Sequence, residues 1–150
     1  MVAAFIFAIG VLGLASLQTR AMQTTFDTSQ RAQVVWLSQD LIDRIRINPA
    51  AIARYTSLLS SFTATSCTTP TPKCDFSAST SCSPAQMATF DVWDIYCRNQ
   101  YQGTQATNAL QIDLTGTQNL TLKTTWCARA ANADCTDPMA QMTHSLTFIP

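Results

Sequence analysis

The chain has 150 residues, a formal net charge of zero and only 12% charged residues. Phosphate recognition needs clustered Lys and Arg, so this composition excludes an electrostatic nucleic-acid binder. Beyond an apolar opening segment, the roughly 130 residues that remain suit one small domain with a modest core.

The opening stretch, MVAAFIFAIGVLGLASLQTR, carries no charge before Arg20. A cleavable signal peptide needs a basic stretch ahead of its apolar core and a small-residue cleavage site behind it, and neither is here. As a helix, Met1 to Leu17 is about 26 Å long, a marginal span of a hydrocarbon layer about 30 Å thick. Residues 1–20 are therefore expected to form a transmembrane or filament-core helix segment. Residues 21–150 then make the globular domain, including the second half of the same helix. Ala4 and Ala8 form a small-x-x-x-small pair, and with Gly10 and Gly13 they are candidates for close helix packing.

From Ala21 to Ile47 the helical pattern continues without Gly or Pro. Val34, Leu37, Leu41 and Ile45 fall on one face at a 3.6-residue period and need something to pack on. Asp27 with Arg31 and Asp40 with Arg44 are acid-before-base pairs at i,i+4, the favoured order on a helix surface. The two halves read as one rod, about 70 Å long if fully helical.

Asn48-Pro49 stops the rod, with Asn48 the expected N-cap of a short helix from Pro49 to about Leu59. A Ser/Thr-rich stretch from Thr63 to Ser83 follows, too polar to order itself without staples. Ser83-Pro84 is a cap-and-start signal for a helix carrying Phe90, Trp93, Cys97 and Tyr101 on one stripe and ending at Gly103. Three alternating runs close the chain: Leu110, Ile112 and Leu114; Leu120, Leu122, Thr124 and Trp126; His144, Leu146 and Phe148. They predict a one-sided antiparallel sheet laid on helices.

The six cysteines, Cys67, Cys74, Cys82, Cys97, Cys127 and Cys135, include no Cys-x-x-Cys, and His144 is the single histidine. Disulfides made in an oxidising compartment fit this pattern better than zinc. A helix from Pro84 to Cys97 separates Cys82 from Cys97 by about 20 Å, which forbids that pair. With Cys127 joined to Cys135, two connectivities remain: Cys67–Cys97 with Cys74–Cys82, or Cys67–Cys82 with Cys74–Cys97. No catalytic residue, cofactor, metal site or small-molecule substrate is expected. His144 has no nucleophile motif beside it, and Asp91 and Asp94, one turn apart, read as solvated helix positions or caps to a neighbouring loop.

An apolar helix that turns amphipathic and carries a small C-terminal antiparallel sheet resembles a type IV pilin, an α+β fold. FIFAIGVLGLASLQ is similar to the N-terminal segment of the PilV-type minor pilins, the type IV pilus modification proteins. The stretch Asp43 to Pro49 resembles that family's Asp-Arg-hydrophobic-Arg-x-Asn-Pro motif, and CSPAQMATFDVWDIYC resembles its second helix. The prepilin leader, its Gly-Phe junction and the early Glu have no counterpart, and Met1 is expected to fall inside the family's apolar helix. The resemblance implies assembly, not catalysis: a minor pilin anchored by a single pass in the inner membrane of a Gram-negative bacterium, with its C-terminal domain in the periplasm. After assembly it would sit in the extracellular pilus. Its implied partners are other minor pilins, the major pilin and a large tip adhesin, and its implied roles are priming assembly and supporting adhesion and twitching motility. The rival readings are a pseudopilin of a type II secretion system and a membrane-tethered, disulfide-rich binding module; Thr63 to Ser83 is a candidate contact loop.

Overall fold

A computed structural model of the chain describes residues 2–61, 67–75, 81–98, 110–116, 118–127 and 141–150, with the side chains of 2–6, 26 and 98 outside the description. The rod is continuous: α1 runs from Val2 to Ile47, 46 residues. It ends where Asn48 N donates to the carbonyls of Arg44 and Ile45, just ahead of Pro49, whose ring disfavours the helical conformation in the residue before it. Arg44 and Arg46 occupy its last turn, where cations favour the negative end of the helix dipole. The Asp40–Arg44 pair forms at 3.1 Å. No ion pair joins Asp27 and Arg31 among the described residues; at the surface such a pair gains little over two hydrated side chains.

A 3-10 turn at Pro49–Ala51 precedes α2, Ile52–Ser61. Asn48 does not cap it with its side chain. Its Nδ2 instead donates to Pro84 O at 2.8 Å, tying the end of α1 to the start of α3, Pro84–Trp93. Ser83 caps α3 as the sequence indicates, and Gln86 completes a reciprocal capping box. The helix does not run on as an α-helix. After Trp93 the chain widens into a π-turn at Asp94–Arg98, while Tyr101 and Gly103 lie outside the described residues. The change lets three tertiary demands be met at once. Asp94 reaches Arg44, Tyr96 accepts a hydrogen bond from Ile112 N at 3.0 Å, and Cys97 meets Cys67.

Strands β1 (Gln111–Thr115), β2 (Leu120–Cys127) and β3 (Gln141–Phe148) form an antiparallel meander in the order β1-β2-β3. Ile112 stands opposite Thr124, Leu114 opposite Leu122, and Leu120 opposite Phe148. Gly116 turns the first hairpin at φ 105, where a Cβ would meet Asn119 O. The alternation holds in β1 and β2, whose inward residues are buried. On β3 only Phe148 is buried, under the Arg46 guanidinium, 5.7 Å from the ring centre. The core joins Val34, Leu37, Leu41 and Ile45 of α1 to Tyr55, Val92, Ile112, Leu122 and Trp126. Long helix, extra helices and a small antiparallel sheet make the type IV pilin-like α+β fold.

Candidate functional site

Two arrangements on α1 stand out, one inside the domain and one outside it.

Inside, Arg44 is a hub. Its guanidinium binds Asp40 of its own helix and reaches across to α3, to Asp91 at 3.1 Å and to Asp94 at 2.9 Å. The two α3 carboxylates are 6% and 4% exposed, so they are not the solvated positions that their sequence spacing suggests. A buried carboxylate needs a cation or hydrogen-bond donors, and Arg supplies both in a fixed planar fork. Burial by itself lowers the Arg44 pKa, but its bonds and charge interactions with Asp40, Asp91 and Asp94 outweigh that and hold it above its ordinary value. Tyr55 OH donates to the other oxygen of Asp91 at 2.5 Å, bringing α2 into the same network. Burial, and then that bond, raise the tyrosine pKa. A cavity of about 400 Å³ opens beside the cluster, between Met87, Phe90 and Cys74. Among the described residues no group of His, Cys, Asp or Glu is arranged to hold a metal ion. The network is a clamp that joins α1, α2 and α3.

A second polar tie crosses the core. Ser38 Oγ lies 2.9 Å from Thr124 Oγ1 of β2 and donates to Val34 O, fixing the height of the sheet along the helix. Covalent ties complete the frame: Cys67 is bonded to Cys97 and Cys74 to Cys82, which selects the first of the two connectivities open from sequence. Cys127, at the end of β2, is also disulfide-bonded, and Cys135 lies outside the described residues. His144 stands mid-strand in β3, opposite Thr124.

Outside, α1 presents a face that touches nothing in the domain. Val34, Leu37, Leu41 and Ile45 are buried in the protein's own core, so the surface left for a neighbour is on the other side of the helix. Ala8, Gly10 and Gly13 are exposed, with open space where a Cβ on either glycine would lie; the side chain of Ala4 is outside the description. Phe7, Ile9, Val11, Leu12, Leu14 and Leu17 are all exposed large apolar residues. Among the described residues no helix is long and apolar enough to cross a membrane. Phe7 to Leu17 alone is about 16 Å of helix.

Trp36, 62% exposed, extends this apolar character into the polar half of α1. In the sequence the signal for Trp36 is an aromatic residue out of phase with the buried stripe of Val34 and Leu37. Arg44 was legible only as a partner for Asp40, because its other two partners lie 47 and 50 residues further on.

Compared with known families, residues 16–93, just over half of the chain, match the model of the Tt1218-like family, described as type IV pilin Tt1218. The matched span takes in the polar half of α1, all of α2 and α3, and the Arg44 network except Asp94, which lies one residue beyond it. No curated protein matches the chain, and no solved structure does.

Proposed function

Because this chain belongs to the Tt1218-like type IV pilin family, we propose that it is a minor pilin of the PilV kind, which helps to prime pilus assembly and sits in the minor-pilin complex near the tip. Type IV pilins are structural subunits, and the chemistry required of one is association. The observation that carries the reading is the division of α1 between two partners. Its C-terminal half holds the domain with one face, while the described side chains of its N-terminal half, Phe7 to Leu17, remain exposed and mostly apolar. A helix that moves from lipid to a bundle of neighbouring helices exchanges one apolar surrounding for another, so little hydrophobic free energy opposes its extraction. In this reading the inner membrane holds the chain by α1 before assembly, with the disulfide-bonded domain in the oxidising periplasm. Other pilins, and a tip adhesin beyond them, are its partners in the filament.

The test is proteomic analysis of sheared filaments together with a deletion strain. The chain is expected in the filaments at a small fraction of the major subunit, and its loss is expected to reduce surface piliation and twitching. Normal piliation in the deletion strain with loss of type II secretion would assign it to a pseudopilus instead.

A further inference from the structure

The outer strands of the sheet differ in how their edges are protected. β1 carries Asp113, and α2 packs against it. Gln141 to Ile149, by contrast, holds no charged residue, no proline and no glycine. Among the described residues no strand pairs with β3 on the side away from β2. Long edge strands are normally blunted by a lysine, a proline or a bulge, because their open N–H and C=O groups otherwise pair with another chain.

Burial marks the same edge. Leu120, Leu122, Thr124 and Trp126, the inward residues of β2, are all buried, whereas Met142, His144 and Leu146 on β3 are only half-buried. Beside them lies a groove of about 320 Å³, with Gln39, Ile42, Asp43 and Arg46 of α1 on one wall and Leu146, Thr147 and Phe148 on the other. Its charges are already matched, since the Arg46 guanidinium lies 3.7 Å from Asp43 and stands over the Phe148 ring.

We infer that the open edge of β3 is a docking site for an extended segment of a different protein, which joins the sheet beside β3; the choice of partner rests on the pilin reading above. The segment is uncharged and apolar at alternate positions. Its backbone pairs with β3, its apolar side chains enter the groove over Ile42, and its remaining side chains continue the exposed hydroxyl face of Thr143, Ser145 and Thr147. A charged side chain would lose its hydration in the groove without finding an unmatched partner there.

A second copy of this chain does not fit. Antiparallel pairing of β3 with its copy relates the two chains by a two-fold axis perpendicular to the sheet. Because α1 packs along the sheet face, the two rods would then point in opposite directions and could not share one membrane or one filament. Parallel pairing turns the copy over, and sets its hydroxyl face instead of its apolar one against the groove.

The experiment places photoreactive benzoylphenylalanine at position 147, exposed on the groove wall, of the full chain in piliated cells. The adducted peptides in membrane and filament fractions are identified by mass spectrometry. An adduct with an uncharged, alternately apolar segment of another protein is expected. His144→Lys, which sets a charge on the inward side of the edge, is expected to lower its yield about tenfold or more and His144→Gln to preserve it, with the melting temperature of both unchanged. If His144→Lys melts early, the sequence of the adducted peptide decides by itself. Adducts only with peptides of this chain, with phospholipid or with an apolar helix would overturn the site, as would no adduct or a yield that a stably folded His144→Lys leaves unchanged. Absence of the wild type from sheared filaments overturns the minor-pilin reading instead, while the membrane-fraction adduct still decides the site.

Discussion

Arg44 and Asp94 meet at 2.9 Å across the α1–α3 interface, the carboxylate almost wholly buried and the guanidinium partly so. This contact and its twin to Asp91 determine how the helical rod is fastened to the rest of the domain.

Removing Arg44 leaves two buried carboxylates without their cation. Arg44→Ala is expected to lower stability by about 3–5 kcal/mol, and Arg44→Lys to recover only part of that, because an ammonium has no planar fork to bridge both groups. Urea denaturation of the purified full-length variants in detergent checks this. A loss of less than about 1 kcal/mol would show that the clamp does not hold α3 to α1.

The Ser38–Thr124 bond sits among apolar side chains, so its two halves are expected to be strongly non-additive. Thr124→Val alone leaves Ser38 its bond to Val34 O, whereas Ser38→Ala leaves the Thr124 hydroxyl without this partner at a cost of about 1–3 kcal/mol. The double variant is expected to be more stable than Ser38→Ala. A double-mutant cycle measures the coupling directly.

Tyr55 and Tyr96 are both buried, and burial is the largest cause raising each pKa above its ordinary value. Each therefore holds its proton more tightly folded than unfolded. The stability this contributes is complete below about pH 10 and declines above it, by up to about 1.4 kcal/mol per pH unit per tyrosine. Melting temperatures from pH 8 to 11.5 are expected to fall steeply above pH 10 in the wild type and less steeply in Tyr96→Phe. Parallel curves would contradict the assignment.

The disulfides Cys67–Cys97 and Cys74–Cys82 close loops of different length, spanning 30 and 8 residues. On loop-closure entropy alone, replacing Cys67 and Cys97 by Ala costs about 3.5 kcal/mol and replacing Cys74 and Cys82 about 2.5. Denaturation of the two paired variants is expected to rank them in that order.

What the sequence made legible were the features whose cause is local. The stripe Val34, Leu37, Leu41 and Ile45, the Ser83 cap and the alternation in β1 and β2 each follow from a period or a short-range hydrogen bond, and each is found in the structure. The misses are tertiary. Asp91 and Asp94 sit one helical turn apart in a pattern that on most helices faces water, and only an arginine nearly fifty residues earlier draws them inward. The α-helix expected through Cys97 yields to a π-turn because the partners of Asp94, Tyr96 and Cys97 lie in three different directions. Asn48 had the right chemistry for a cap, but the carbonyl of Pro84 was within its reach.

The packing of α1 on β2 also dictates an order of events during synthesis. The buried stripe is complete once Ile45 has been made, but the strand that covers it begins at Leu120. At roughly 5–20 residues per second, the intervening stretch of about 75 residues takes on the order of 4–15 s. Throughout that interval Val34, Leu37, Leu41 and Ile45 have no sheet to lie against. Cys67 meets a similar delay, since Cys74 and Cys82 both emerge before its native partner, Cys97. A thiol oxidised in order of appearance would join the wrong sulfur, so native pairing here depends on late oxidation or on disulfide exchange.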